Sequence, residues 1–305
     1  MLDQESALRE KIDSLEAEGR YFEMIAPLEE LVSMLSIRCS GGGCHGAKET
    51  PEYAAALDRL GGVHRNVGNL DRAQSIYQQA VATSATVFGT HDPNYATTLN
   101  NYAGLQRLRK QYDAAEEAYK RAEGIYTETL GPNHVLTVSC INNRGLLRQD
   151  QGRLEEALAH HQEALRRLRE APGNDVAEAT TLNNMASVQA KMKNYEGAFS
   201  SMEQASAIYE RTVGKLSDLY LGQVHNLASM QALSGDYAGA VERLEWVAQR
   251  CREMWGPRSD NLVAVLRNLA TCYEQIGRDD DAAKAREEAA AIVEGAKADV
   301  ARAAR

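Results

Sequence analysis

Cys39, Cys44 and His45 are the residues whose types and spacing come closest to a metal site in this sequence. Zinc is held by cysteine thiolates and histidine nitrogens, but a structural zinc site uses four ligands, commonly in two closely spaced clusters. The sequence offers no clear fourth ligand beside these three. We therefore predict no metal, and we interpret the surrounding segment as a flexible insertion.

The same segment, Gly41–Thr50, superficially resembles a phosphate-binding loop. In such a loop lysine directly follows the second glycine, serine or threonine follows the lysine, and a strand comes before. Here Lys48 is two residues after Gly46, glutamate follows it, and no apolar strand precedes it. The adjacent His160 and His161 point to different faces of a helix, and the common hydrolase and protease motifs are absent. We predict no cofactor, no catalytic residue and no enzymatic activity.

Composition narrows the classes of partner. The 305 residues carry a formal charge of −9, which argues against a nucleic-acid binder because neutralising phosphates needs a basic face. No run approaches the roughly eighteen apolar residues of a membrane helix, and the polar start MLDQESALREK is unlike a secretory signal. The five cysteines are odd in number and mostly far apart, which does not favour disulfides. We expect a cytoplasmic protein without nucleic-acid or membrane partners, with cytoskeletal association left open.

A repeat of 41 or 42 residues organises the chain and must position whatever surface it uses. Each repeat has an aliphatic anchor: Leu57, Leu99, Ile141, Leu182, Val224 and Leu266. A fixed period of this size indicates stacked supersecondary units, in which every unit buries its apolar face against its neighbours. This architecture favours binding over catalysis.

Small residues recur at fixed distances from the anchors. Sixteen residues after each anchor stands the same amino acid: Ala73, Ala115, Ala157, Ala198, Ala240 and Ala282. Small side chains at fixed sites mark a close approach of two helices. Gly68-Asn69 exemplifies the turn expected between two helices, and Gly131-Pro132 the break after the second one. The pattern predicts one antiparallel helix pair in each repeat.

These positions carry a family resemblance. A small residue at position 4 after the anchor, alanine at 16, a bulky residue near 20 and alanine at 23 resemble the tetratricopeptide repeat. The longer period, the Leu-Asn-Asn start and the LGPNH joint are similar to the kinesin light chain variety. The resemblance covers roughly residues 54–293 and implies an all-α, right-handed α-solenoid of about seven antiparallel helix pairs.

The organisation that we predict has four parts. Residues 1–38 form a degenerate N-terminal helix pair, in which Leu8, Ile12 and Leu15 are spaced as one helix face. Residues 39–53 are the flexible insertion, residues 54–293 are the six repeats, and residues 294–305 are a C-terminal helical cap or tail. A charged, Ala-rich end suits the polar outer face that a terminal repeat needs.

A ligand surface is expected on the side of the first helices that faces away from the anchors. Position 2 after the anchor is asparagine in all repeats but one: Arg59, Asn101, Asn143, Asn184, Asn226 and Asn268. Asparagine inside a helix costs roughly 0.6 kcal/mol against alanine, so its recurrence needs a reason. In the resembling families this face is concave, and asparagine there holds the backbone of an extended peptide. Bonding to the neighbouring helix is the alternative that remains open.

Cations are concentrated on the first helices, where we include Arg59, Arg65, Arg107 and Lys191 in the peptide-binding site. Arginine binds carboxylates bidentately, and kinesin light chains use a basic groove for acidic segments. The resemblance therefore implies an acidic peptide, and solvated surface charge is the alternative.

The function that we predict is a non-catalytic adaptor or scaffold that binds a linear, acidic segment of a partner protein. The second hypothesis is a structural subunit of a motor or cytoskeletal complex that binds a folded partner through its convex face or ends. A kinesin heavy chain is not favoured as a partner, because the N-terminal helix pair has too few heptads for the long coiled coil that light chains use.

Overall fold

The computed structural model describes residues 2–17, 20–37, 50–171, 173–215, 217–257 and 259–303. Within these ranges the chain forms fourteen α-helices and no strand, which confirms the all-α prediction. Cys39, Cys44 and His45 lie outside the described residues. The chain divides into two compact units, Met1–Ala171 and Pro172–Arg305.

The first unit contains four helix pairs. Its helices are α1 (Leu2–Ala17), α2 (Tyr21–Ile37), α3 (Pro51–Asn66), α4 (Leu70–Phe88), α5 (Pro93–Leu108), α6 (Tyr112–Leu130), α7 (Val135–Asp150) and α8 (Leu154–Arg169). Odd-numbered helices are the first helices of their pairs and even-numbered helices are the second. Each helix packs on the next one along the chain, as a stack of repeats requires.

The second unit contains three further pairs. Its helices are α9 (Asp175–Lys191), α10 (Tyr195–Val213), α11 (Asp218–Ser234), α12 (Tyr237–Trp255), α13 (Asp260–Gln275) and α14 (Asp279–Ala303). Here too each helix packs on its neighbour in the chain. Seven sequential antiparallel pairs confirm the predicted count, and α14 runs without a break into the segment predicted as a C-terminal cap or tail.

The turn inside each of the six repeats passes through one residue with a left-handed backbone. The residue eleven positions after the anchor has a positive φ in all six repeats: Gly68 (81°), Lys110 (59°), Gly152 (76°), Lys193 (61°), Gly235 (94°) and Gly277 (75°). Glycine adopts this conformation without a steric penalty, whereas lysine does so at a cost of about 1 kcal/mol. This residue reverses the chain within a very short connection, which keeps the two helices in contact.

The recurring alanines lie where the two helices of a pair approach each other. Position 16 is at most 1% exposed in every repeat: Ala73, Ala115, Ala157, Ala198, Ala240 and Ala282. Four residues further along the second helix, a bulky side chain such as Tyr77 packs beneath position 4, and a Cβ on Gly61 would lie 3.1 Å from its ring. The third repeat has His161 there, and a Cβ on Gly145 would come within 2.6 Å of its imidazole. The small residues therefore make room for the side chains of the second helices.

The degenerate N-terminal pair belongs to the same core. Ile12 on α1 and Met24 and Leu28 on α2 are fully buried, and they join a cluster that continues to Leu57 and Tyr77. Met24 takes the place of a small residue, so α1 and α2 meet through larger side chains than the other pairs do. The apolar periodicity seen in the sequence therefore marks the side of this pair that packs on the first repeat.

Candidate protein-binding surfaces

The first-helix face of the first unit contains hydrogen bonds between neighbouring repeats. Asn101 Nδ2 on α5 donates to Asp58 Oδ2 on α3 at 2.8 Å. Asn143 Nδ2 on α7 donates to Asn100 Oδ1 on α5 at 2.9 Å. Two asparagines of the predicted peptide site therefore use one amide hydrogen to join adjacent first helices.

Among the acidic residues of this face, Asp58 has the most strongly shifted pKa. Burial raises the pKa of its carboxyl group to about 6, although its hydrogen bond from Asn101 and the nearby Arg65 act in the opposite direction. Its second oxygen, Oδ1, is buried and has no hydrogen-bond partner among the described residues. A buried carboxylate with one unsatisfied oxygen depends strongly on the single amide that it does bind.

The arginines of this face are already engaged by the chain's own oxygens. Arg59 on α3 pairs with Asp13 at 2.7 Å and with Glu16, both on α1. Arg107 on α5 pairs with Asp150 on α7 at 2.5 Å. Arg65 Nη1 donates to the backbone carbonyl of Asn101 at 3.4 Å. An acidic ligand on this face would have to compete with these internal contacts.

The offset between the paired residues is close to the repeat period, although the period alone does not select them. Arg107 is at position 8 of its repeat and Asp150 is at position 9 of the next one, so an offset of 43 residues connects them. Arg59 and Glu16 have the same offset, but Glu16 lies in the degenerate pair, where the repeat register is hard to assign. Lys191 lies on α9 in the second unit, where it is exposed and forms no ion pair within the described residues.

The second unit continues the asparagine pattern with different partners. Asn268 Nδ2 on α13 lies 2.8 Å from His225 Nε2 and donates to Ser229 Oγ at 3.1 Å, both on α11. Burial lowers the pKa of His225, so the imidazole is neutral near pH 7 and its Nε2 can accept this bond. Asn226 is exposed and has no hydrogen-bond partner in the described chain, and Asn184 is half-buried.

Two cavities open between the first helices α11 and α13. One, of about 360 Å³, is lined by apolar side chains that include Leu221, Val265 and Trp255. The other, of about 350 Å³, is lined by Leu233, Leu244 and polar groups that include Asn268. The hydrogen-bonded His225 and Asn268 each line one of them, so the polar contact lies between two largely apolar cavities.

Two leucines on α11 remain in contact with solvent, and one of them lines a cavity. Leu233 lines the second cavity and is 64% exposed, and Leu219 near the start of the same helix is 48% exposed. An exposed leucine that lines an apolar cavity is typical of a surface that binds another molecule. The sequence does not predict these cavities, because the positions of Leu219 and Leu233 have no consistent residue type in the other repeats.

The side chains that the structure describes include no group of three or more His, Cys, Asp or Glu placed to hold a metal ion. Among the described helices, none combines the length and the hydropathy needed to cross a bilayer.

The fold and these surfaces define a class of α-helical repeat protein with extended faces built from successive helix pairs. The chain belongs to the tetratricopeptide repeat family, whose model matches residues 52–128, 124–170, 136–211 and 218–295. A comparison with curated protein sequences gives no match.

Solved structures with the same fold include proteins of the kinesin light chain type. BtubC (BKLC) from P. vanneervenii has a TM-score of 0.66 and 20% identity, with 75% of this chain and 92% of that chain covered. A putative kinesin light chain from Podosopora anserina has a TM-score of 0.58 and 20% identity, with coverages of 66% and 96%. A tetratricopeptide repeat protein from Parabacteroides merdae has a TM-score of 0.54 and 16% identity, with coverages of 95% and 93%. The recognition made from the repeat pattern is confirmed.

Proposed function

We propose that this chain is a non-catalytic scaffold that binds a linear segment of a partner protein along α11 and α13. Membership of the tetratricopeptide repeat family supports protein–protein interaction in general. The observation that carries the finer proposal is the pair of apolar cavities between these two first helices. A face with two separate cavities suits a ligand that presents two side chains some distance apart.

The dimensions of the cavities favour side chains over whole small molecules. At about 350–360 Å³ each, they fall at the lower end of the roughly 300–1,000 Å³ range of ligand pockets. An aliphatic or aromatic side chain in each cavity would bury apolar surface at roughly 25 cal/mol per Å². The exposed amide of Asn226 carries both a donor and an acceptor for the backbone of the bound segment. We expect an extended peptide with two apolar anchors.

Peptides selected against the protein would test this proposal. Twelve-residue peptides would be selected from a random display library, and their affinity measured by fluorescence anisotropy. Leu233→Glu places a carboxylate at the rim of one cavity, so it should weaken the selected peptides about tenfold or more. Leu130→Glu is the matched control, because Leu130 is an exposed leucine at the end of α6 in the first unit.

The proposal is wrong if Leu233→Glu binds the selected peptides as tightly as the parent protein. A selection that yields only peptides without apolar residues would contradict it equally. Capture of a folded partner that Leu233→Glu still binds, and that exposed changes on the second helices abolish, would favour the structural-subunit hypothesis instead.

Binding of an acidic segment over Arg59, Arg65, Arg107 and the asparagines of the first unit stays a prediction. Competition from Asp13, Glu16 and Asp150 should make such binding weaker than the count of arginines implies. A hexaglutamate probe tests it: its affinity should fall with added salt and be nearly abolished by Arg65→Glu combined with Arg107→Glu. Affinity that salt and this double charge reversal both leave unchanged would exclude the acidic site. The cytoplasmic location and the cytoskeletal association likewise stay predictions.

A further inference from the structure

A larger cavity lies on the opposite side of α11, between the second helices α10 and α12. It has a volume of about 630 Å³. Its floor is formed by Tyr220, Val224 and Leu227 of α11, and its walls by Glu203 and Glu210 of α10 and by Glu242, Arg243 and Trp246 of α12. We call this cavity the α10–α12 groove. It lies entirely within the second unit and shares no residue with the two cavities between α11 and α13.

Two of the three carboxylates in the α10–α12 groove have no cation partner. Glu210 pairs with Lys215 at 3.0 Å. Arg243 Nη1 donates to the neutral amide of Gln231 at 2.6 Å. Glu203 and Glu242 form no ion pair with any described residue, and both are exposed. The groove therefore offers two carboxylates to a cation from outside the chain.

An aromatic pair lies in the same groove. The rings of Tyr220 and Trp246 meet edge to face, with centroids 6.2 Å apart and planes at 88°. The guanidinium of Arg250 lies 5.9 Å from the centroid of Trp246, at the outer limit of the roughly 6 Å range of a cation–π contact, and it pairs with Glu253. Tryptophan binds cations best among the aromatic residues, and arginine is the cation most often found there.

The corresponding groove of the first unit, between α6 and α8, contains an arginine of the chain itself. Arg144 on α7 pairs with Glu116 at 3.0 Å and with Glu123 at 2.8 Å, both on α6. It also lies close to His160 on α8, whose pKa is lowered by burial and then by this nearby positive charge. Arg144 is three residues after its anchor, and the equivalent residue in the α10–α12 groove is Leu227.

An arginine of the chain also lies against an aromatic ring and a carboxylate beside α12 and α14. Arg278 lies 4.4 Å from the ring centroid of Tyr273 and pairs with Glu245 at 3.2 Å. Glu245 is the repeat equivalent of Glu203, and the repeat equivalent of Arg278 is Asp236. Neither equivalent residue is positively charged, and the two cations that do line the α10–α12 groove, Lys215 and Arg243, are engaged by Glu210 and Gln231.

We propose that the α10–α12 groove binds an arginine or lysine side chain from a basic segment of a partner protein. The cation lies against Trp246 and pairs with Glu203 and Glu242. Arg278 with Tyr273 and Glu245 shows the same type of contact, although Tyr273 corresponds to Gln231 and not to Trp246 in the repeat. Charge complementarity selects a basic segment over an acidic one. This interaction lies on the opposite side of α11 from the proposed peptide surface and does not depend on it.

A hexa-arginine peptide is a suitable probe, and a hexaglutamate peptide is the control of opposite charge. The titration is followed by the fluorescence of Trp246 in a Trp255→Phe background, since these are the two tryptophans of the chain. We expect saturable binding of hexa-arginine with a change in Trp246 emission, and weaker binding as salt is added. Hexaglutamate should produce neither effect.

The paired variant Glu203→Gln with Glu242→Gln should weaken hexa-arginine about tenfold, because it removes both charge-assisted contacts and keeps the side-chain size. Its matched control is Glu117→Gln with Glu128→Gln, which removes the same charge from exposed positions of α6 and should change the affinity less than twofold. Equal weakening by both pairs, unchanged Trp246 emission during binding, or equal binding of hexaglutamate would overturn the proposal. Leu233→Glu should leave hexa-arginine binding unchanged, which separates this proposal from the peptide surface between α11 and α13.

Discussion

Replacing Asn101 by alanine should destabilise the first unit, because the amide of this residue holds a buried carboxylate of the preceding repeat. Asn101 Nδ2 donates to Asp58 Oδ2 at 2.8 Å, and the other oxygen of Asp58 is buried without a partner. A hydrogen bond to a charged group contributes about 1.5–3 kcal/mol. Alanine regains about 0.6 kcal/mol of helix propensity. The expected net loss is about 1–2.5 kcal/mol in the free energy of unfolding.

Urea unfolding followed by far-ultraviolet circular dichroism would measure this loss near pH 7.5. Both tryptophans lie in the second unit, so their fluorescence reports separately on the part of the chain that Asn101 does not touch. The matched control is Asn226→Ala at the equivalent position of α11, where the amide is exposed and has no hydrogen-bond partner in the part of the chain that the structure describes. This control should change stability by no more than about 0.5 kcal/mol.

The pH gives an internal check on the Asn101 prediction. Because the pKa of Asp58 is raised to about 6, its carboxyl group is protonated below about pH 5, where the bond from Asn101 is no longer charge-assisted. The loss caused by Asn101→Ala should therefore shrink as the pH falls. If Asn101→Ala unfolds like the parent protein, or if Asn226→Ala costs as much, the hydrogen bond to Asp58 does not stabilise the repeat stack.

Three further predictions concern the charge of Asp58 and the packing inside the helix pairs. The folded protein holds a proton on Asp58 that the unfolded chain releases between about pH 4 and 6, so the free energy of unfolding should fall as the pH rises through this window. Asp58→Asn should remove this fall and add about 1–3 kcal/mol to the free energy of unfolding at pH 7. Urea titrations at several pH values measure both effects. Gly145→Ala should cost about 1–3 kcal/mol despite its better helix propensity, because the new Cβ meets the buried ring of His161; a melt equal to that of the parent would contradict this packing. Ala157→Leu or Ala198→Leu should cost roughly 1–3 kcal/mol by overpacking the helix pair, and tolerance of both in denaturant would refute the close approach.

The repeat pattern predicted the packing inside each helix pair well. The recurring alanine at position 16 is buried in every repeat, and the turn residue eleven positions after each anchor adopts the same left-handed backbone. These features are local, because both helices of a pair lie within one period of the sequence. Position 4 shows the limit of such reasoning: alanine is common there, yet Gly145 has no room for a Cβ because His161 replaces the usual bulky residue.

The candidate site was predicted less completely. The sequence placed Asn101, Asn143 and Asn268 on one face, and it left open whether they contact a ligand or a neighbouring helix. In the structure each donates a hydrogen bond to the preceding first helix. The cavities between α11 and α13 could not be predicted, because a cavity depends on the side chains of three helices at once. The same holds for the α10–α12 groove, where the free carboxylates of Glu203 and Glu242 are recognised only once the partners of Glu210 and Arg243 are known.

The sequence by itself determined the period, the helix pairs and the family, because anchors and small residues at fixed spacing encode contacts between helices that are adjacent in the chain. Only the tertiary structure decided which polar side chains of successive repeats meet. Arg59 with Glu16, Asn101 with Asp58, and Arg107 with Asp150 are each separated by 43 residues, one or two more than the period. The physical reason is that a long polar side chain finds its partner through its rotamer and through the offset between stacked helices, and neither of these is written in the spacing of apolar residues.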